Sequence, residues 1–581
     1  MKNLYLINYT NANNHCIDIV YQLSGLEGAT TRVQLPTWRP GRYELGNFAK
    51  NIQKFAVFRV DGRPLNFKKI NSHLWEIALD GEREVHVKYT YYAADLNAGS
   101  TFLGEDQLYM NPVNCLVYQV NRLNVPCEIH LGIPDTFQVA TSMEKLTNNV
   151  FAVKNCHELF DSPFIASATL KTHRFFVDGV EVFMHFQGIC KPDFEKLEED
   201  FYRFFAHQNS IFGEFPTAEY HFLFHMLPHS FHHGVEHQAN TVIAMGPGFS
   251  QFTTGYAEFL GISSHELFHA WNIKAIRPAE MWPYDYTKEN YTNLGYVAEG
   301  VTTLMGDLTL LRSGVWSQTE FWAEFSRECQ KHFDNFGRFN YSVAQSGFDS
   351  WLDGYSAGIP NRKVSIYTEG MLYAFVMDVM IAKATDFSRS LYDVMYNLYH
   401  FYYKQGKGYT EEDYLMELKN ITWLDFRPFF EKYIWSPNDD ESLINEHLNF
   451  LGLGLEVKPA DLFHESKLGF KISSSNTVTA IFPGGPAEQA GLWIDDKILS
   501  VNGVEANADL AKWLTFFEDE PVRLTINRQH RILTVQVVAG QQVCFKAYQV
   551  KPNAAFSENL PNLEKWIRIK KLSKEELNNL K

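Results

Sequence analysis

Through the first 170 residues, apolar and polar side chains alternate with a period of two. Lys54-Phe55-Ala56-Val57-Phe58-Arg59-Val60 runs into Asp61-Gly62, a turn signal, and Val85-His86-Val87-Lys88-Tyr89-Thr90-Tyr91-Tyr92 alternates likewise. A period of two puts one row of side chains on one face, so these runs predict strands. Residues 1–172 are expected to form a β-sandwich-like domain. The period then lengthens. Pro192-Asp193 opens a helix over 194–212 whose Leu197, Phe201, Phe204 and Phe205 share one face. Residues 220–226 read as an apolar strand, and helical spacing dominates from about 255 to 435, with examples at 321–336 and 371–384. Thr410-Glu411-Glu412-Asp413 has the form of a capping box. This middle region, 173–447, is expected to be one domain with a helical lobe. Short β runs return after 448, with turns at Pro483-Gly484-Gly485-Pro486 and Asn502-Gly503, which sets off 448–545. Residues 546–581 read as a charged tail with helical character at 572–580. The chain is therefore a multidomain α+β protein.

Charge and cysteine content narrow the function. Lys+Arg is 52 against Asp+Glu 68, a net charge of −16 over 581 residues. Such a surface repels phosphate backbones, so no nucleic-acid partner is expected. No run approaches the ~18 apolar residues of a membrane span; the richest, 371–384, is interrupted by Asp378 and Lys383. The stretch from Met1 to Asn11 lacks the apolar core of a signal peptide. Seven cysteines are scattered without a CxxC pair, so neither a disulfide framework nor a cysteine zinc site is indicated. These features together point to a cytoplasmic location. The aromatic content is high, at 15%, and calls for large buried volumes or aromatic-lined clefts.

The chemistry concentrates at Ser264-His265-Glu266-Leu267-Phe268-His269. Positions four apart stack on one face of a helix, so His265 and His269 can hold one metal ion. Glu266, one residue on, faces the open coordination position, where it can deprotonate a water. A third ligand is sought downstream. Glu299 lies within the apolar run 294–303, where an unpaired carboxylate is costly. Glu280 and Glu289 compete for the role but lie beside Pro278, Pro283 and Asn290, in expected loop. Two His and one Glu with an open fourth position form a catalytic zinc site of the thermolysin type, one Zn²⁺ per chain. Six histidines between 221 and 237 (221, 225, 229, 232, 233 and 237) repeat no ligand spacing, so no second metal site is expected.

The run His265-Glu266-Leu267-Phe268-His269-Ala270-Trp271-Asn272, with Lys274, Arg277-Pro278 and Ala298-Glu299-Gly300, resembles the glycyl aminopeptidase family of gluzincin metallopeptidases. The resemblance extends over nearly the whole chain. It implies a thermolysin-like catalytic domain and release of small N-terminal residues, Gly or Ala, from peptides with a free N-terminus. Gly234-Val235-Glu236-His237 resembles the family's Gly-Leu-Glu-His segment, which implies that Glu236 holds the substrate's α-ammonium. Gly234 would let substrate backbone come close. Ser365 to Leu372 resembles the family's Tyr-x-Lys-Gly motif, with Tyr367 as the oxyanion donor and Glu369 in place of Lys. The chain departs from the family at His233, where Gly is common, at Arg39 and Arg42, which replace smaller residues, and over 355–360.

Lys467-Leu468-Gly469-Phe470-Lys471-Ile472 resembles the carboxylate-binding loop of a PDZ domain, followed in order by Gly484-Gly485-Pro486-Ala487 and Asp496-Lys497-Ile498-Leu499-Ser500-Val501-Asn502-Gly503. Asp495 stands where Gly is usual. Residues 508–517 would flank the groove, and the backbone N–H groups of Leu468, Gly469 and Phe470 could capture a C-terminal peptide; an empty groove on a structural module is the equal alternative. Two rival functions stay open: a zinc endopeptidase or other hydrolase on the same site, and a PDZ adaptor with a degenerate site.

Overall fold

The computed structural model describes residues 2–356 and 358–568. Two compact units emerge. One comprises 1–321, 337–440 and 564–581, the other 322–336 and 441–563.

The first unit begins with β structure. Among the described residues an eight-stranded sheet includes Asn3–Asn11, Cys16–Ser24, Ile52–Arg59 and Glu84–Tyr92, with Asn3–Asn11 running parallel to Cys127–Gly132. Cys16–Ser24 buries every second residue, as alternation demands. Phe55 of this sheet stacks on Trp75 of a neighbouring four-stranded sheet, with ring centroids 4.6 Å apart, so the two sheets meet face to face.

A five-stranded sheet follows, in the order Lys171–Val177, Val180–Gly188, Glu219–Met226, Asn240–Gly246, Phe231–Glu236. Phe194–Phe212, capped by the Asp193 side chain, is the crossover helix between two parallel strands. Glu219–Met226 sits in the middle of the sheet and is buried along nearly its whole length, which is why its sequence shows no alternation. Phe231–Glu236 is the edge strand and runs antiparallel to its neighbour.

Glycines set the helix spacing beside this sheet. Tyr256–Phe268 packs against Thr302–Arg312 at Gly306, where a Cβ would stand 3.0 Å from His265 Cα. Tyr296–Val301 is a wide helical turn of i→i+5 form that leads into Thr302–Arg312. It crosses the buried helix Thr368–Ala384 where Gly300 meets Gly370, and a Cβ on Gly370 would lie 2.9 Å from Gly300 Cα. The capping box at Thr410 is formed, with Asp413 as its reciprocal partner.

In the second unit, Phe470–Ile472 pairs with Val478–Ile481, and Lys497–Val501 pairs with Val522–Arg528 around a core that includes Leu468, Phe470, Val501, Leu514 and Leu524. Leu510–Phe516 is the helix expected near the groove. Asp495 adopts φ 70, which explains the usual Gly there. The stretch read as a tail is structured as far as 568. Lys546–Pro552 pairs with Leu453–Pro459, burying Tyr548 and Val550 at alternate positions, and Phe556–Arg568 is helical. The helical character expected at 572–580 lies outside the described residues. No described helix is long and apolar enough to cross a membrane.

Candidate metal centre and active site

His265 and His269 lie on the last turn of Tyr256–Phe268 and just past it. Their Nε2 atoms are 3.0 Å apart, and they lie 3.9 and 3.3 Å from Oε2 of Glu299. For a tetrahedral ion with ligands at ~2.0–2.1 Å, neighbouring ligand atoms should be about 3.3 Å apart. The three side chains therefore fit one ion. Among the described residues they are the one group of three or more His, Cys, Asp or Glu that does so. Glu280 is exposed on a short turn and takes no part.

Two of the three side chains are held from behind. His269 Nδ1 is 2.6 Å from the carbonyl of Asn272, so its Nε2 is left for metal. The buried Asn272 amide donates to the carbonyl of Val297 and to Thr302 Oγ1, tying the end of the histidine helix to the segment that carries Glu299. Oε1 of Glu299 accepts from Tyr43 at 3.2 Å, a contact supplied by the N-terminal β domain. Burial would lower the His269 pKa, but Glu299 with Glu236 and Glu266 outweighs it and holds it up at about 9. The site attracts positive charge.

Glu266 is buried, and its carboxylate accepts from Thr241 at 3.4 Å. Burial pushes its pKa up to about 8, with Glu236 and Glu299 adding to the rise and His269 opposing it; a bound dication would pull it back down. Gly234 faces Glu266, and a Cβ there would collide with its carboxylate. The absent side chain thus makes room for Glu266 itself, a reason the sequence did not show.

Glu236 ends the edge strand, 4% exposed, and its Oε1 has no hydrogen-bond partner. Gly41 closes over it from the N-terminal domain. The following residue, His237, shares Asp161 with Lys274: Nδ1 is 3.1 Å and Nζ 2.6 Å from Oδ1. Asp161 also accepts the backbone N–H of Gln238 at 2.7 Å, so one half-buried carboxylate fixes the strand end that presents Glu236.

Tyr367 precedes the first turn of Thr368–Ala384, its ring 6.4 Å from that of His265. Burial raises its pKa well above normal, and Glu299, Tyr355, Tyr43 and Glu236 act in the same direction, so it stays protonated and able to donate. Tyr355, whose hydroxyl accepts from Tyr43 N–H at 3.3 Å, adds a third phenol to the cluster. Glu369 is buried beside Asp440, Arg338 and Tyr373; burial and Asp440 raise its pKa. His233 is pushed down to about 3 by burial, with Arg39 and Arg42 contributing.

Sequence reasoning missed Tyr43 and Asp161. Both lie in the β domain, 76 residues or more from the groups they touch. The one signal was the irregular run Thr37-Trp38-Arg39-Pro40-Gly41-Arg42-Tyr43, too polar and turn-rich for the strands around it. In the second unit, Leu468 and Phe470 turn their side chains into the core, and Gly469, at φ 79, already gives its N–H to the carbonyl of His464 and its carbonyl to the N–H of Phe482, so the expected Gly469 donor is engaged within the loop.

An HExxH helix whose two histidines meet a buried glutamate beside the edge strand of a five-stranded sheet is an arrangement suited to a metallopeptidase. Residues 4–168 match the peptidase M61 N-terminal domain, 258–373 the M61 glycyl aminopeptidase domain, and 477–528 a PDZ domain. The chain belongs to the M61 glycyl aminopeptidase family. Its fold is similar to that of an aminopeptidase N family protein from Idiomarina loihiensis, with a TM-score of 0.90 and 23% identity over 97% of this chain and 100% of that one. An M1 zinc metallopeptidase from Deinococcus radiodurans aligns with a TM-score of 0.48 at 11% identity, covering 76% and 94% of the two chains. Tax1-binding protein 3 from Homo sapiens is 38% identical over 91 residues, 15% of this chain and 70% of that protein.

Proposed function

We propose that the protein is a zinc-dependent aminopeptidase that removes single residues from the free N-terminus of peptides. His265, His269 and Glu299 hold one zinc ion per chain. Zinc bound there supplies Lewis acidity to water and to the scissile carbonyl. Glu266 takes the proton of the attacking water and returns it to the leaving amine. Glu236 pairs with the α-ammonium, which fixes the first peptide bond opposite Glu266. The Tyr367 hydroxyl donates to the oxygen on which charge develops. The observation that carries this reading is the buried, unpartnered Glu236 beside the three ligands: an anion placed so needs a cation from the substrate. The family description, a glycyl aminopeptidase, favours a small first residue. The PDZ domain of the second unit would either take a C-terminal peptide or serve as a structural module with an empty groove.

Metal analysis joined to a panel of free and N-acetylated peptides tests the proposal. Free peptides should be cleaved and acetylated ones spared, with Glu266→Gln retaining zinc and losing turnover. Equal cleavage of both peptide classes would make the protein an endopeptidase instead.

A further inference from the structure

Arg39-Pro40-Gly41-Arg42 forms a tight turn. The N–H of Arg42 donates to the carbonyl of Arg39 at 3.3 Å, and Gly41 takes φ 81. Pro at the second position and Gly at the third favour a type II turn. The turn brings Gly41 against the Glu236 carboxylate, so closely that a Cβ would collide with it. Of the two flanking arginines, Arg42 is partnered: it pairs with Glu44 and lies 4.5 Å from the ring centroid of Tyr355.

Arg39 is different. It is 4% exposed, and its side chain donates one hydrogen bond, at 3.4 Å, to the carbonyl of its own neighbour Pro40. Among the described residues no carboxylate pairs with it. Its guanidinium lies over Gly99, where a Cβ would collide with it, so the backbone is cleared for this one side chain. A buried charge without a partner is costly. Glu236, equally buried and with a free Oε1, is in the same position with opposite sign. The two influence each other electrostatically without forming an ion pair. Arg39 opens the turn whose Gly41 lies against the Glu236 carboxylate, which puts it on the amine side of the cleft, where the first side chain of a substrate would sit.

We propose that Arg39 receives the side-chain carboxylate of an acidic first residue, Asp or Glu, while Glu236 holds the ammonium of that residue. The inference rests on the aminopeptidase reading above and names a substrate class for it. Gly and Ala leave Arg39 unpaired; an acidic residue satisfies both buried charges, and sites built around a buried polar group discriminate strongly against ligands that lack its partner.

Aminoacyl aminocoumarins, which carry no terminal carboxylate, test this directly. Asp or Glu substrates should exceed Ala at least tenfold in kcat/KM. Arg39→Gln should cut the Asp-to-Ala ratio at least tenfold, and Arg39→Lys should restore part of it. Binding provides a second readout: zinc-loaded Glu266→Gln protein should bind aspartic acid amide at least tenfold more tightly than alaninamide, by calorimetry. This comparison needs no Arg39 variant, so it stands even if those variants fail to fold. Acidic substrates cleaved no faster than Leu, or an Asp-to-Ala ratio unchanged in Arg39→Gln, would overturn the proposal. So would a defect of Arg39→Gln confined to free dipeptides and absent from their amides, because Arg39 would then serve the far carboxylate. If zinc-replete protein cleaves nothing, Gly and Ala included, the aminopeptidase reading falls, and the amide binding comparison decides the role of Arg39 separately.

Discussion

Gly234 and Glu266 face each other so closely that the glycine has no space for a methyl group: a Cβ would overlap Oε1 of the glutamate. The edge strand thus fixes where the Glu266 carboxylate can stand. Gly234→Ala must displace either the strand or Glu266. Turnover is expected to fall ten- to a hundredfold while zinc content stays normal, measured by kinetics and metal analysis on the same preparation.

The hydrogen bond from Tyr43 of the β domain orients Glu299, the proposed third metal ligand. Tyr43→Phe keeps the ring and removes the donor. Zinc should be lost to a competing chelator at a roughly tenfold lower concentration than from wild type, the usual scale for outer partners of metal ligands. An unchanged chelator midpoint would make the contact dispensable.

Gly300 and Gly370 let two helices touch backbone to backbone, which sets Tyr367 relative to Glu299. Gly370→Ala forces them apart. Unfolding by denaturant should show a loss of about 2 kcal/mol, within the usual range for overpacking. Activity should fall further than stability, because Tyr367 begins the same helix.

Asp161 links pH to stability. Burial alone would raise its pKa, but Lys274 and His237 hold it well below the ordinary carboxylate range. A depressed carboxylate stabilises the fold above its unfolded pKa of ~3.9 and ceases to do so as pH falls through the folded value. His237 is buried, and burial lowers its pKa; the unfolded chain gains that proton below about pH 6.5, so its effect has the same sign. Stability should decline from about pH 6.5 downward, and more steeply below about pH 4. Asp161→Asn should be less stable than wild type at pH 7 and lose less on acidification, as read by thermal unfolding at each pH.

Much of the fold could be read locally. The Asp193 cap and the Thr410 capping box rest on bonds spanning three residues, so sequence spacing is enough to find them. The same holds for His265 and His269, one helical turn apart. Glu299 was legible because a carboxylate in an apolar run needs a partner, although its wide i→i+5 turn was not. Tyr43 and Asp161 could not be found this way, since Glu299 lies 256 residues from the first, and His237 and Gln238 lie 76 and 77 residues from the second. Lys546–Pro552 escaped for a related reason: a single strand amid charged residues is recognisable only beside Leu453–Pro459.

Gly41, Tyr43 and Asp161, all contributed by the β domain, reach Glu236, Glu299 and Lys274 in the next domain. The division expected near residue 172 is therefore not a division in the machinery. A recombination event that carried the HExxH region alone into a new protein would transfer the motif without the wall that closes its substrate end. Such a fragment would be a damaged cleft rather than a portable peptidase, and the two regions can be expected to change together or not at all.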